Sequence, residues 1–203
     1  MAVPLLLKYF HELPPWQGKK DRSWQKHIWA ALERFKNQIE TRYNEGTLAR
    51  LLDHQNPEVR QASILGLGLI GRVATSIHSI STKLRDTDRG VRQFAQDALW
   101  SLWYRADSDQ NNNELRRLMQ IKDLNRRQLG LDALILRAPG FAEAYNQRAI
   151  ARFLLEEYEG SVRDCEKVLS LNQTHFGAAA GLGQCYLHLG KIKQAIRAFR
   201  QAL

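Results

Sequence analysis

The sequence repeats itself with two different periods, and this change of period constrains the fold more than any other feature. Residues 47–104 form two copies related by a shift of 32 residues, and residues 108–203 form two to three copies related by a shift of 34. Periods of this length are typical of helical hairpins stacked in a solenoid, where each hairpin buries its apolar face only against the next. The sequence therefore predicts an all-α superhelix, a fold that usually offers a surface for binding other molecules.

Identical residues mark the 32-residue shift. They are Leu52 and Leu84, Val59 and Val91, Arg60 and Arg92, and Leu67 and Leu99. Each copy has a short apolar segment, a turn signal and a longer segment with apolar residues at helical spacing. Pro57 lies where the first turn of a helix tolerates proline, and Asp88 is expected to cap the N-terminus of the equivalent helix.

This pattern, with a Val-Arg pair in the second helix of each copy, resembles the HEAT-type repeat. The resemblance implies that the valine of each pair lies in the core. It also implies that the arginine pairs with an acidic group of an adjacent turn, for which Asp53 and Asp86 are the candidates.

Residues 142–203 carry a more specific pattern. Its final copy has large, small and aromatic residues at fixed spacings, namely Leu182, Gly183, Tyr186, Gly190, Ala195, Phe199 and Ala202. This spacing resembles the tetratricopeptide repeat. The preceding copy, from Ala142, departs from it at Arg152, where an aromatic residue is usual. A copy further upstream is degenerate, with Arg127 where a small residue should pack.

Together the patterns predict three segments. Residues 1–46 are expected to form an N-terminal extension with a capping helix, residues 47–106 two HEAT-like repeats, and residues 107–203 a tetratricopeptide array whose first repeat is degenerate. The expected fold class is therefore an all-α superhelix of HEAT-like hairpins followed by tetratricopeptide hairpins.

In the N-terminal extension, two prolines and a glycine within residues 13–20 predict a loop. A helix is expected to follow, capped by Ser23 and running to about Tyr43, with one apolar face. We expect this helix to cover the open apolar side of the first hairpin, because a solenoid requires terminal caps. An interaction arm or a dimerisation helix is the alternative.

Two further sets of residues are expected to lie in the core. Trp100, Trp103 and Tyr104 lie at helical spacing where the two repeat types meet, and core packing is favoured over a binding hot spot. Cys165 and Cys185 occupy core-type positions on neighbouring helices. They are expected to be buried thiols, with a redox bridge as the alternative.

The sequence contains no motif that predicts catalysis. Its six histidines lack metal-ligand spacing, and the glycines within residues 66–71 end a helix, whereas a dinucleotide-binding fingerprint follows a strand. We therefore expect a protein that is not an enzyme and that binds neither a metal nor a cofactor. No apolar run approaches the ~20 residues that span a membrane, and the N-terminus lacks the features of a signal peptide. These observations predict a cytoplasmic protein without a membrane partner.

The tetratricopeptide resemblance implies that the first helix of each hairpin lines a concave groove. In this register the groove residues are Glu143, Asn146, Ile150, Phe153, Leu154, Gln184, Leu187 and His188, with Gly177 and Ala180 beside them. Asn146 is the residue expected to hydrogen-bond a peptide backbone. We expect a non-catalytic scaffold or adaptor that binds a peptide or helix of a protein partner in this groove.

The sequence ends inside the second helix of its final repeat. An uncapped apolar face is therefore expected at that helix, open to a partner, to a second copy of the chain or to further sequence. Self-association through the C-terminal helix is one of these alternatives.

A formal net charge of +9 supports a different function, the binding of nucleic acid. An arginine-rich edge is the candidate site, formed by Arg85, Arg89, Arg92, Arg116, Arg117, Arg126 and Arg127. Such an edge would bind phosphates without reading sequence. The basic residues are spread along the chain and alternate with acidic ones, which favours a mixed solvated surface. Nucleic acid binding therefore remains the alternative to the adaptor.

Overall fold

The computed structural model describes residues 5–14 and 22–202. Within them the chain forms twelve α-helices and one 3-10 helix and contains no β-strand, so the predicted all-α repeat class is confirmed. In the same residues, no helix combines the length and the apolar character that crossing a membrane requires. Most of the loop predicted at residues 13–20 and the side chain of Ser23 lie outside the described part of the chain.

The helices divide into two compact units, residues 1–102 and residues 103–203. The first unit contains α1 (Leu5–His11), α2 (Arg22–Glu40), α3 (Glu45–Leu51), α4 (Pro57–Ile70), α5 (Val73–Ser81), a 3-10 helix (Thr82–Arg85) and most of α6 (Arg89–Trp103). The second unit contains α7 (Asp109–Leu118), α8 (Leu124–Arg137), α9 (Ala142–Leu154), α10 (Tyr158–Leu171), α11 (Phe176–His188) and α12 (Ile192–Ala202).

The 32-residue repeat of the first unit is visible in its hydrogen bonds. Arg60 donates from Nη1 to the carbonyl oxygens of His54 and Gln55, at 2.8 and 3.0 Å. Arg92, 32 positions later, donates from Nη1 to the carbonyl oxygens of the two equivalent residues, at 2.7 and 2.9 Å. Each arginine therefore fixes the turn that precedes its own helix. The resemblance of these two hairpins to HEAT repeats stays a prediction.

One of the two candidate acidic partners, Asp86, binds an arginine of the repeats. Arg60 forms a two-point ion pair with Asp86, with N–O distances of 2.9 and 2.8 Å. Asp53, the other candidate, is instead bound by Lys83 at 2.6 Å. The two predicted helix starts are present, because Asn56 and Pro57 begin α4 and the Asp88 carboxylate accepts from the N–H of Val91 at 2.8 Å.

The N-terminal extension contains one helix that the sequence did not predict. Helix α1 buries Leu6 and Leu7, and its N–H at Leu6 donates to the hydroxyl of Tyr43 at 2.9 Å. The expected second helix is present as α2, which ends at Glu40 and buries Phe35 and Ile39. The side chain of Ile39 approaches Gly66 of α4, so α2 packs on the first hairpin.

The 34-residue repeat of the second unit is present in the helix bounds. Helix α8 covers residues 124–137 and α10 covers 158–171, while α9 covers 142–154 and α11 covers 176–188. Small residues allow the close packing within each hairpin. A Cβ atom on Gly183 of α11 would lie 2.6 Å from the ring of Phe199 on α12, so a larger residue there would push the two helices apart.

Turns between paired helices are also equivalent. Gly190 follows α11 with a φ of 69°, and Glu156, 34 positions earlier, follows α9 with a φ of 63°. Left-handed backbone of this kind suits glycine and costs other residues about 1 kcal/mol or more. The repeat geometry therefore fixes the turn even where the sequence does not supply a glycine.

An ion-pair network replaces the aromatic residue that is missing at Arg152. Arg148 of α9 binds Asp164 of α10 through two nitrogens, at 2.9 and 2.6 Å, and binds Asp132 of α8 at 2.7 Å. Arg152 adds a further contact to Asp164 at 2.8 Å, and its aliphatic part packs against Gly160. Asp164 is almost fully buried and joins α10 to both arginines of α9, while Asp132 joins α8 to Arg148.

The two cysteines are free and buried, as the sequence predicts. The thiol of Cys185 donates to the hydroxyl of Ser161 at 3.1 Å. A hydrogen bond with Cys185, together with burial, raises the pKa of the Cys165 thiol far above its ordinary value. The raised pKa keeps the Cys165 thiol protonated and unreactive, which agrees with a role of that residue in packing.

We predict that Asp164→Ala destabilises the protein by about 3 kcal/mol, because it leaves two arginines without their shielded carboxylate. Asp132→Ala is the matched control. That carboxylate is half-exposed, and Arg148 keeps Asp164 without it, so we expect a loss below about 1 kcal/mol. Urea unfolding followed by circular dichroism measures both variants, and equal losses would contradict the assignment of the network to Asp164.

Candidate partner-binding groove

The groove predicted on the first helices of the repeats has a closed half and an open half. The closed half is formed at the start of α9, where Glu143 and Asn146 are 1 % and 2 % exposed. The amide of Asn146 donates to Glu143 Oε1 at 3.1 Å. The prediction that Asn146 presents this amide to a peptide backbone is therefore corrected, since the amide is used inside the protein.

Glu143 is the centre of a buried hydrogen-bond network. Its Oε1 atom accepts from Asn146 and from Gln147 Nε2, the latter at 2.6 Å, and its Oε2 atom lies 3.0 Å from His175 Nε2. The carboxylate lies in the first turn of α9, where the helix dipole favours negative charge. Three donors and this dipole together compensate the cost of removing the charge from water.

The second ring nitrogen of His175 defines the state of the imidazole. Its Nδ1 atom accepts from the backbone N–H of Ala178 at 3.1 Å and thereby caps α11. An accepting Nδ1 carries no proton, so the neutral ring bears its proton on Nε2 and donates it to Glu143. The cap of α11 and the burial of the carboxylate on α9 thus depend on the same ring.

Trp103 and Tyr104 cover this network. The Trp103 ring is buried and stacks on His175, with ring centroids 3.8 Å apart and an angle of 15° between the planes. The hydroxyl oxygen of Tyr104 accepts from Gln147 Nε2 at 2.8 Å. Burial raises the pKa of Tyr104 to about 12, and the nearby charge of Glu143 adds to the effect. The core role predicted for Trp103 is confirmed, and these two residues occupy the closed half of the groove.

The open half lies toward the C-terminal ends of α9 and α11. Ile150, Leu154 and Leu187 are 41 %, 56 % and 43 % exposed, and Gln184 is exposed beside them. These large apolar side chains lie on neighbouring helices and remain in contact with water in the free protein. Binding of an apolar partner would remove that surface from water.

An aromatic group borders the open half. Phe153 lies 5.1 Å from the ring of His188 in an edge-on arrangement, and the Tyr158 ring stacks on His188 with centroids 4.5 Å apart. Phe153 and Tyr158 also meet edge to face at 5.5 Å. The structure therefore brings together two of the predicted groove residues and adds Tyr158, the first residue of α10, which the sequence analysis did not include.

The arginines proposed as a nucleic-acid edge are mostly bound to acceptors of the protein itself. Within the described residues, Arg117 binds Glu114 through two nitrogens at 2.9 and 2.7 Å, and Arg127 binds the carbonyl oxygen of Ile121 at 2.9 and 2.6 Å. Internal acceptors also bind Arg92, Arg116 and Arg126. Arg85 and Arg89 are exposed. This arrangement does not support a dedicated phosphate-binding edge.

A repeat alignment could have identified His175 before the structure. Phe141 lies 34 positions earlier, occupies the same position before α9 and is fully buried. A histidine aligned with a buried phenylalanine is expected to be buried too, and a buried histidine requires polar partners. No comparable signal predicts Trp103 and Tyr104 as the cover, because they lie outside the 34-residue repeat.

Comparison with known proteins finds similarity to the tetratricopeptide repeat within this unit. A tetratricopeptide-repeat family model matches residues 177–203. A protein of Rhizobium etli described as TPR repeat-containing is 33 % identical over 73 residues, which are 36 % of this chain and 36 % of that protein. The chain therefore spans about a third of the length of the curated relative that it matches. The solved structure of the MamA RS-1 ArsTM double mutant is similar over 85 % of this chain and 91 % of that chain, with 17 % identity and a TM-score of 0.41.

We predict that Glu143→Ala destabilises the protein by about 3 kcal/mol, because three buried donors lose their acceptor. Glu143→Gln keeps a neutral acceptor and should lose less. Gln184→Ala, an exposed polar change on α11, is the control and should shift stability by no more than about 0.5 kcal/mol. Urea unfolding measures all three variants, and an alanine variant as stable as the parent would show that the network contributes nothing.

Proposed function

We propose that this protein, which carries tetratricopeptide repeats in its C-terminal unit, is a non-catalytic adaptor that binds a peptide or helix of a protein partner. The observation that carries the proposal is the open half of the groove, where Ile150, Leu154 and Leu187 are exposed on two adjacent first helices. Apolar surface of this kind, bordered by aromatic rings, is suited to contacts with apolar side chains of a partner.

The small residues of α11 add to this surface. Gly177 and Ala180 are partly exposed on the same helix as Gln184 and Leu187, so a partner backbone can approach α11 closely. The groove residues proposed to contact the partner are therefore those of the open half, together with Phe153 and His188. Glu143 and Asn146 are proposed to affect partner binding only indirectly, by holding the repeats in position. As expected from the sequence, we place the adaptor in the cytoplasm.

We predict that Leu154→Glu and Leu187→Glu each abolish capture of a protein partner from extracts of the native host. Leu136→Glu is the matched control, because Leu136 is 87 % exposed on α8, a second helix, and should retain the partner. The tagged full chain is washed at low and high salt, and bound proteins are identified by mass spectrometry. A partner retained at high salt by the parent and control but lost with both groove variants supports the adaptor.

Two outcomes would contradict the adaptor. One is a set of captured proteins that the groove variants leave unchanged. The other is capture of nucleic acid that high salt removes and the groove variants do not affect, which would favour electrostatic binding to phosphates.

We also propose that the chain self-associates through α12. Ile192 and Ile196 are exposed on this helix. They lie 34 positions after Tyr158 and Val162, which are partly buried in the preceding repeat, Tyr158 against His188 of α11. The equivalent face of α12 is thus able to receive a further helix, and a second copy of the chain is the proposed partner.

We predict that a double variant, Ile192→Glu with Ile196→Glu, shifts the chain from dimer to monomer, because charged side chains would have to be buried in the contact. Sedimentation velocity over a range of concentrations measures the shift, with Leu136→Glu as the control. A parent chain that stays monomeric at high micromolar concentration would contradict self-association.

A further inference from the structure

A cavity of about 570 Å³ lies among four helices of the first unit. Its walls are mainly apolar and include Phe10 of α1, Leu32 of α2, Leu65 of α4 and Phe94 of α6. The rings of Phe10 and Phe94 meet at this wall with centroids 5.6 Å apart. Small-molecule sites in proteins have volumes of about 300–1,000 Å³ and predominantly apolar or aromatic walls. The cavity therefore has the size and the lining of such a site.

A second cavity, of about 160 Å³, adjoins the first, because Leu65 and Phe94 line both. The smaller cavity also has polar walls, which Asp97 and Ser101 of α6 provide. Phe94, Asp97 and Ser101 are three to four positions apart, so they lie on one face of α6. The two cavities together form one cleft along α4 and α6, the α4/α6 cleft, with an apolar chamber and a polar end.

The carboxylate of Asp97 gives the polar end a negative charge. Within the described residues, this carboxylate accepts one hydrogen bond, from the neutral amide of Gln93 at 3.2 Å, and it forms no ion pair. Asp86 in the same unit differs, because Arg60 binds it. Partial burial raises the pKa of Asp97, although the residue remains accessible from solvent. A cation beside this carboxylate would compensate for the hydration that it has lost.

We propose that the α4/α6 cleft binds a small molecule with an apolar body and one ammonium group. The apolar body occupies the larger cavity. The ammonium lies in the smaller cavity between the Asp97 carboxylate and the ring of Phe94, since aromatic faces attract cations. All residues of this site belong to the first unit, so the site is separate from the groove of the second unit and independent of the proposed adaptor function.

The charge of the whole chain provides a stringent background for the test. With a formal net charge of +9, the long-range field of the protein attracts anions and repels cations. Non-specific binding would therefore favour a carboxylate ligand over an ammonium ligand of the same length. The opposite preference would report a local negative site.

Isothermal titration calorimetry of the full chain with octylammonium, octanol and octanoate tests the inference. At pH 7 and about 0.15 M salt, we expect octylammonium to bind about tenfold more tightly than octanoate, with octanol between them. Asp97→Asn should weaken octylammonium binding about fivefold and leave octanol binding unchanged. Glu33→Gln is the matched control, because it makes the same change of charge at an exposed residue of α2 outside the cleft. It should change binding less than about twofold.

A cavity-filling change tests the apolar chamber. Leu65→Trp places a larger side chain where the two cavities meet, so it should abolish binding of octylammonium and octanol alike. Circular dichroism shows whether this variant keeps its helices. Asp97→Asn and Glu33→Gln preserve side-chain shape, so they carry the test if Leu65→Trp does not fold.

Four results would overturn the inference. The first is a parent chain that does not bind octylammonium at millimolar concentration. The second is equal affinity for octylammonium and octanoate, and the third is an equal effect of Asp97→Asn and Glu33→Gln. The fourth is octylammonium binding that survives in a folded Leu65→Trp variant, because the ligand would then lie elsewhere.

Discussion

A buried carboxylate controls how the C-terminal unit is assembled. Glu143 carries its charge in the interior, and it is stable there only while Asn146, Gln147 and His175 all donate to it. Two of these donors lie on α9 with the carboxylate, but His175 lies before α11 and caps that helix through its other nitrogen. The positions of two consecutive repeats are therefore linked by one polar network, in addition to the packing of small and aromatic residues that repeats of this kind share.

The same network decides which part of the groove remains open. Trp103 stacks on the ring of His175, and Tyr104 accepts from Gln147, so the polar groups at the start of α9 are covered by the chain itself. At the other end of α9 and α11, the large apolar side chains of Ile150, Leu154 and Leu187 are exposed. The division of the groove thus follows from where the buried charge lies.

Much of the fold could be predicted from sequence because repetition is a strong constraint. The 34-residue shift indicated where helices recur, since each apolar face must meet the next repeat at the same register. The 32-residue shift likewise indicated equivalent roles for Arg60 and Arg92, and their hydrogen bonds are equivalent. Helix α1 was missed because its seven residues are too few to show a helical period.

The candidate site was harder to predict, for a physical reason. Register shows which side chains point away from a hairpin, but it does not show what else covers them. Asn146 has the register of a groove residue and is nevertheless buried, because Trp103 and Tyr104 come from outside the repeat. Arg152 shows the opposite case. It stands where the repeat usually has an aromatic residue, but the helical hairpin still forms, because Arg152 binds the carboxylate of Asp164.

The cover formed by Trp103 and Tyr104 also makes the length of the binding surface independent of the number of repeats. In a simple array the length of the binding surface grows with the number of repeats. Here two residues outside the repeats set that length, so substitutions at those two positions can lengthen or shorten the footprint while the hairpins stay the same. Selection for tighter or looser association could therefore act on the cover alone and leave the array untouched.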